Sequence, residues 1–143
     1  MEIPVRLLSA GDEAVLEHVA PEVFDEAVRP ALSAAFLHDP RHHLAVALDH
    51  GLVVGFASAV HYVHPDKPAE LWINEIGVAP AYQRRGLGRR LMQALFVEGR
   101  CLGCEAAWVL AEGDDEPAQA FYHALGGAPA PAVMFTFDLS DGA

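Results

Sequence analysis

The chain has 143 residues, 52% of them hydrophobic, and its 20 acidic and 9 basic residues give a formal net charge of -11. This length suits one domain with its own core, so we expect a single domain over residues 1–143. The acidic balance argues against a nucleic-acid partner, and the lack of a long apolar run argues against a membrane span. Because an acidic surface attracts cations, a cationic small-molecule substrate is favoured.

The N-terminal sequence and the two cysteines bear on the compartment and on metal binding. The stretch MEIPVRLLSAGDE lacks a basic leader followed by an apolar block, so we expect a cytoplasmic protein. Cys101 and Cys104 form a Cys-x-x-Cys, the pattern of a redox pair or of half a zinc site. No further ligands with suitable spacing are evident, so we expect two buried thiols and no metal.

The first half of the chain predicts a strand, two helices and a hairpin. Residues 3–8 alternate as a strand, and SAGDEAVLEHV follows with the spacing of a capped helix. A second helix is predicted over 22–37, interrupted by Pro30, and HDPRHH then predicts a loop with solvated histidines. The run LAVALDHGLVVGFASAVHYV predicts two strands joined at His50-Gly51.

The second half alternates strands and helices. Strands are predicted over 71–78, over 106–111 and in the ending AVMFTFDL, and helices from about Gly86 and over 117–125. His61 and His64 are expected to be solvated loop residues, with contact to substrate or a metal as the alternative. This order predicts an α/β (α+β) protein whose mixed sheet is covered by helices on both faces.

The segment QRRGLG stands between a predicted strand and a predicted helix. A helix N-terminus exposes unpaired N–H groups, and glycines let an anion approach that backbone. Four arginines, Arg84, Arg85, Arg89 and Arg90, add positive charge there, although the rest of the chain has 5 basic and 20 acidic residues. We therefore expect a local site for a small, multiply phosphorylated ligand.

Two motifs carry a resemblance to a known superfamily. The pattern Gln-x-x-Gly-x-Gly between a strand and an amphipathic helix resembles the acetyl-CoA pyrophosphate loop of the GNAT superfamily of N-acetyltransferases. Asp115-x-x-Ala118-x-x-x-Tyr122-x-x-Leu125-Gly126 resembles its second motif, with Asp115 where asparagine is commoner and Gly127 where an aromatic residue is usual. The resemblance implies the GNAT fold, with a mostly antiparallel sheet of about six to seven strands, and acetyl-CoA as cosubstrate. The residues implied to bind acetyl-CoA are Ile76, Gly77 and Val78 through their backbone, and Gln83, Arg84, Arg85, Gly86, Leu87, Gly88, Arg89 and Tyr122.

A narrower resemblance covers about residues 36–140. HYVHPDKPAELWINEIGV, GDDEPAQAFYHALG and VMFTFDL look like segments of the aminoglycoside 3-N-acetyltransferases of the GNAT type. Here Glu116 separates the acidic pair Asp114-Asp115 from Pro117, which shifts that pair by one residue relative to the family pattern. The resemblance implies acetylation of an aminoglycoside amine, an antibiotic-resistance activity, and a homodimer.

The chemistry needs a base and an acid. An amine with an ordinary pKa near ~10 is protonated at neutral pH, so a carboxylate must accept its proton. Glu112 and Glu75 are the candidates, and we favour Glu112, with Glu75, Asp114 and Asp115 orienting a polycationic substrate. Tyr122 matches the superfamily's tyrosine that protonates the departing thiolate.

Three alternatives stay open. The neighbouring His123 is a rival acid to Tyr122, although adjacent helical residues point about 100° apart. The acceptor could instead be a polyamine, a metabolite amine, a protein N-terminus or a lysine. A non-catalytic module that binds acyl-CoA is the alternative from a different functional class.

Overall fold

The computed structural model describes residues 2–140. The chain divides into two compact units, a larger one that extends to Leu110 and a smaller one that begins at Ala111, and each is described by itself. In the part of the chain that the structure describes, no helix is long and apolar enough to cross a membrane.

The larger unit is built on a sheet of five strands that lie side by side in chain order. The first three pairings are antiparallel and the last is parallel, so the expected mixed, mostly antiparallel sheet is confirmed. The strands are β1 (Val5–Leu8), β2 (His42–Asp49), β3 (Leu52–Tyr62), β4 (Glu70–Val78) and β5 (Ala106–Val109).

The strand count is lower than the six to seven expected. Residues 132–139 alternate like a strand, yet no strand is found there, and Phe135 is 77% exposed. A strand is defined by hydrogen bonds to a neighbour, and this segment has none within residues 2–140. The alternating pattern therefore predicted a strand, but it does not show which neighbouring strand would pair with it.

Residues 2–140 contain three α-helices, α1 (Pro30–His38), α2 (Leu87–Cys101) and α3 (Glu116–Ala124). In the larger unit both faces of the sheet are covered, as two adjacent residues of β3 show. A Cβ at Gly55 would lie 3.2 Å from Leu91 of α2, whereas the Phe56 ring stacks on Phe24 at 4.0 Å. Successive residues of a strand point to opposite faces, so α2 lies on one face and the segment around Phe24 on the other.

The N-terminal helices differ from the prediction. The segment SAGDEAVLEHV forms only a 3-10 helix, Glu13–Glu17, and the second predicted helix begins at Pro30 instead of being interrupted there. Proline fits the first turn of a helix, where its missing N–H is not needed, so Pro30 marks a start. Residues 21–26 are consequently turns and bends, and Glu22 has a left-handed φ of 67°.

The prediction that the histidines are solvated loop residues was wrong for His43 and His61. Both lie on strands, and His43 is 8% exposed with its Nε2 2.8 Å from Nδ1 of His61. Burial, followed by the charges on His61 and His42, lowers the pKa of His43 to about 4. His64 is also largely covered, with Nε2 3.6 Å from a carboxylate oxygen of Glu70.

The prediction of two buried thiols was also wrong. Cys101 is exposed and Cys104 is half-buried, because α2 ends at Cys101 on the surface. Burial raises the pKa of the Cys104 thiol. Among residues 2–140, no group of three or more His, Cys, Asp and Glu side chains is placed to hold a metal ion.

Candidate active site

The site begins where β4 loses one of its two neighbours. β3 pairs with β4 as far as Val78, but β5 pairs only with residues 70–73. Ser58 lies opposite Glu75 and Ala59 opposite Ile73, so Asn74 is an extra residue that bulges the strand. Beyond Ile73 the outer edge of β4 has no strand partner in the described chain, which leaves main-chain donors and acceptors for a ligand.

Gly77 lies on this open stretch, where a chain segment crosses the strand. A Cβ at Gly77 would overlap the carbonyl oxygen of Val23 and lie 3.0 Å from Cε1 of Phe56. No side chain fits there without movement of the Val23 backbone. The glycine thus lets the segment around Val23 lie directly against β4.

The same segment encloses a cavity of about 620 Å³. Five of its lining side chains are carboxylates, Glu13, Glu17, Glu22, Asp25 and Glu26, and none is Lys or Arg. The other lining residues are Leu16, Val19, Ala20, Pro21, Phe24, Ala27, Val28, Pro30 and Ser33. The cavity therefore combines apolar walls with a strongly negative potential, which favours a cationic ligand.

The sequence analysis missed these cavity carboxylates. The signal was present, because GDEAVLEHVAPEVFDEA is dense in acidic residues. That stretch was predicted to form helices, and nothing in its periodicity indicates that its carboxylates line one cavity.

Glu75, one of the two predicted bases, lies on β4 and is not among the residues that line this cavity. It is two residues from Gly77, so the two residues share the sheet face that the segment around Val23 covers. The side chain of Glu75 is exposed. Its carboxylate therefore adds negative charge on the cavity side of the sheet.

The predicted strand–loop–helix arrangement is present after β4. A 3-10 helix, Pro80–Tyr82, follows the strand, and the Gln83 amide donates to the Val78 carbonyl oxygen at 3.0 Å. Arg84 and Gly86 both have a left-handed backbone, with φ of 63° and 79°. Gly86 is the N-cap of α2, so the unpaired N–H groups of the first turn begin beside this loop.

The arginines of this segment have different roles. Arg84 and Arg85 are exposed, and the Arg85 guanidinium lies 5.1 Å from the centroid of the Tyr82 ring. Arg90 instead donates to the Ile3 carbonyl oxygen at 2.5 Å and pairs with Glu2 at 3.1 Å. The expectation that all four arginines serve an anion was wrong for Arg90, because this side chain fastens the N-terminal segment.

The remaining predicted site residues belong to the smaller unit. Asp115 is the N-cap of α3, and its carboxylate accepts from the Ala118 N–H at 3.1 Å. Gln119 donates to the carbonyl oxygens of Glu112 and Gly113 at 3.1 and 2.9 Å. These bonds fix the backbone before α3, while the side chains of Glu112 and Asp114 are exposed.

Tyr122 is half-buried on α3, and its ring makes an edge contact with Phe121 at 5.3 Å. Burial and the neighbouring charge of Asp115 raise the pKa of the Tyr122 phenol. The phenol therefore stays protonated at neutral pH, as a proton donor requires. His123 is exposed, and a Cβ at Gly127 would lie 3.0 Å from the Tyr122 carbonyl oxygen, a steric reason for glycine in place of an aromatic residue.

The predicted site residues thus fall into two groups. The larger unit brings together Glu75, the open edge of β4 and the loop before α2. The smaller unit holds Glu112, Asp114, Asp115 and Tyr122 within and just before one short helix.

Comparison with known proteins identifies the family. Residues 12–126 match the model of the acetyltransferase (GNAT) family. The N-alpha-acetyltransferase RimI of Mycobacterium tuberculosis is 34% identical over 106 residues, which are 73% of this chain and 63% of that protein. The chain therefore spans slightly less than two thirds of the length of this relative.

Solved structures agree with that match. One similar structure is HMB0005, an aminoglycoside acetyltransferase from an uncultured soil metagenomic sample. It superposes with a TM-score of 0.83 at 26% identity, over 98% of this chain and 100% of that chain. Aminoglycoside N-acetyltransferase AAC(6')-Iy in complex with CoA superposes with a TM-score of 0.75 at 21% identity over 96% of this chain and 95% of that chain, a likeness of fold alone. The family match covers well over half of the chain and the fold agrees with it, so this protein belongs to the GNAT family of acetyltransferases.

Proposed function

We propose that this protein transfers the acetyl group of acetyl-CoA to an amine of a small cationic molecule, with an aminoglycoside as the acceptor. The observation that carries the proposal is the acidic cavity lined by residues 13–33, because an aminoglycoside is a polycation that needs several carboxylates. The similarity to HMB0005, which is described as an aminoglycoside acetyltransferase, favours the same acceptor class. The 3-N position is the regiochemistry that the sequence resemblance implies.

Acetyl-CoA would bind along the open edge of β4 and at the start of α2. The backbone of Ile76, Gly77 and Val78 offers donors for the pantetheine and for the thioester oxygen. The loop 83–89 would hold the pyrophosphate, because its glycines expose the backbone and Arg84 and Arg85 extend into solvent there. No metal is needed for this reaction.

The acetyl transfer would proceed by direct attack. The amine nitrogen attacks the thioester carbonyl carbon, the C–S bond breaks, and the CoA thiolate takes a proton from Tyr122. Before the attack the ammonium loses one proton to a carboxylate, for which Glu112 is our first candidate and Glu75 the second, and the proton that the nitrogen loses after the attack restores the Tyr122 phenol. Asp114, Asp115 and the carboxylate that is not the base would orient the cationic acceptor.

Two alternatives differ in acceptor or in class. The similarity to RimI, named an N-alpha-acetyltransferase, favours a protein N-terminus, and a polyamine, a metabolite amine or a lysine is a further option. A non-catalytic module would bind acyl-CoA without turnover. The five carboxylates that line the cavity favour a small polycation over a peptide with a single terminal amine.

We also propose that the protein is a homodimer that forms through the segment 132–139. Its large apolar side chains are 70–83% exposed, and burying them would release a large apolar area from water. They are Val133, Met134, Phe135, Phe137 and Leu139. Light scattering should give twice the mass of one chain, and Phe135→Asp should give a monomer; a monomeric parent protein would refute the proposal.

The acceptor site is tested by neutralising cavity carboxylates. Asp25→Asn/Glu26→Gln should raise KM for an aminoglycoside by roughly 2- to 30-fold, since each partly exposed charge pair contributes about 0.2–1 kcal/mol. The KM for acetyl-CoA should not change. Asp66→Asn/Glu105→Gln removes the same charge outside the cavity and is the matched control. Equal effects of the two double variants would show that the cavity is not the acceptor site.

A further inference from the structure

A hydrogen bond ties the loop before α2 to the hairpin between β2 and β3. The Tyr82 hydroxyl donates to Oδ2 of Asp49 at 2.5 Å, across a separation of 33 residues in the chain. Asp49 is the last residue of β2, and its Oδ1 lies 2.7 Å from Nδ1 of His50. Both carboxylate oxygens are therefore engaged at the turn.

Tyr82 in turn supports an arginine. Its ring lies 5.1 Å from the Arg85 guanidinium carbon, within the range of a cation–π contact. Because the hydroxyl is bonded to Asp49, the ring that carries Arg85 is fixed in orientation. A chain of contacts thus runs from the hairpin, through the phenol, to the guanidinium.

The loop that carries Arg85 has a backbone that needs such support. Arg84 has a φ of 63° and Gly86 a φ of 79°, so left-handed residues flank Arg85 on both sides. A residue other than glycine in this conformation is disfavoured and persists where its surroundings hold it. The Gln83 amide, bonded to the Val78 carbonyl oxygen, and the Tyr82 hydroxyl, bonded to Asp49, both hold the chain just before these residues.

We propose that Asp49 and Tyr82 are a positioning pair, which holds Arg85 and the loop before α2 in the conformation that binds the phosphates of acetyl-CoA. The proposal rests on the acetyl-CoA site described above. Neither residue needs to touch the cosubstrate, and nothing in the sequence motifs assigns a role to either one. The pair acts by ordering the loop in advance, so that less ordering is needed upon binding.

The charge of Asp49 makes the proposal distinguishable from simple electrostatics. A carboxylate near a phosphate site repels the ligand, so its removal should tighten binding if charge alone mattered. If Asp49 instead positions the loop, a variant that breaks its hydrogen bond to Tyr82 should bind CoA more weakly. Asn keeps an acceptor for the Tyr82 hydroxyl without the charge, whereas Ala removes both.

The test is CoA binding by titration calorimetry to the full chain and to three variants, Asp49→Ala, Asp49→Asn and Tyr82→Phe. We expect Asp49→Ala and Tyr82→Phe each to weaken binding about 3- to 10-fold, the range that corresponds to ordering one to two side chains. Asp49→Asn should bind as tightly as the parent protein or tighter. The double variant Asp49→Ala/Tyr82→Phe should be no weaker than either single variant, because both break the same bond.

A second readout follows the phenol itself. Hydrogen bonding to Asp49 raises the pKa of Tyr82, so ultraviolet titration of Asp49→Ala should show this tyrosine at a lower pKa. In the enzyme assay, KM for acetyl-CoA should rise and kcat should stay unchanged, which general destabilisation would not produce. Unchanged or tighter CoA binding by Asp49→Ala and Tyr82→Phe would overturn the proposal. Failure of the parent chain to bind CoA would instead refute the acetyl-CoA site.

Discussion

Acid should destabilise this protein through His43. The side chain is 8% exposed, and its pKa is lowered from 6.5 to about 4, first by burial and then by the charges of His61 and His42. Between these two pKa values the unfolded chain binds a proton that the folded chain does not bind. The contribution of neutral His43 to the free energy of unfolding is therefore fully present above its pKa in the unfolded chain. It is lost as the pH falls from 6.5 to about 4.

The size of the effect follows from the two pKa values. At 1.36 kcal/mol per pKa unit the full shift corresponds to about 3 kcal/mol, of which about 2 kcal/mol is lost between about pH 7 and about pH 5. Urea unfolding at a series of pH values measures this loss. The variant His43→Gln should lose about 2 kcal/mol less over the same range, and the exposed His18→Gln is the control.

The comparison separates the effect of His43 on stability from that of the carboxylates, because the carboxylates titrate in the wild type, in His43→Gln and in His18→Gln alike. A wild-type pH dependence equal to that of His43→Gln would refute the reasoning. It would mean that the imidazole pair accepts a proton in the folded state without cost.

Three further predictions concern the site. Gly77→Ala should lower the free energy of unfolding by about 1–3 kcal/mol, measured by urea unfolding, whereas Gly113→Ala, where a Cβ meets nothing within 4 Å, should have little effect; equal effects would contradict the crossing at β4. Arg90→Ala should lower Tm but leave the CoA affinity measured by calorimetry unchanged, because the Arg90 guanidinium binds the N-terminal segment. A weaker CoA affinity would show that Arg90 also contributes to the phosphate site. Glu112→Gln and Tyr122→Phe should each lower kcat by about 10²- to 10⁴-fold, and full activity of Glu112→Gln at every pH would transfer the role of base to the other candidate carboxylate.

The sequence predicted the parts of the fold that depend on local patterns. The patterns of β1 to β5, the apolar stripe of α2 and the glycines after β4 are local, and the structure confirms each of them, whereas the alternation over 132–139 gives no strand in the described residues. Pro30 misled the prediction because proline both ends helices and begins them.

The errors come from contacts between distant residues. His43 and His61 are 18 residues apart, and the register between β2 and β3 brings their rings together. Arg90 was counted among the arginines that add positive charge before α2 because of its neighbours in sequence, although its partner Ile3 lies 87 residues away. Long-range pairings of this kind leave no periodic signal in the chain.

The candidate site was predicted in part for the same reason. The loop before α2 is a contiguous motif and was predicted residue by residue. The acidic cavity depends on how residues 13–33 pack together, which no motif encodes.

The most direct test of the central claim is acetyl-CoA-dependent thiol release with a panel of aminoglycosides, spermidine and peptides with free N-termini, with the products mapped by NMR. The account predicts turnover with aminoglycosides at a much higher kcat/KM than with the other amines, and a single acetylated amine per product, at the 3-N position. Efficient turnover confined to peptides, or CoA binding with no thiol release for any amine, would contradict it.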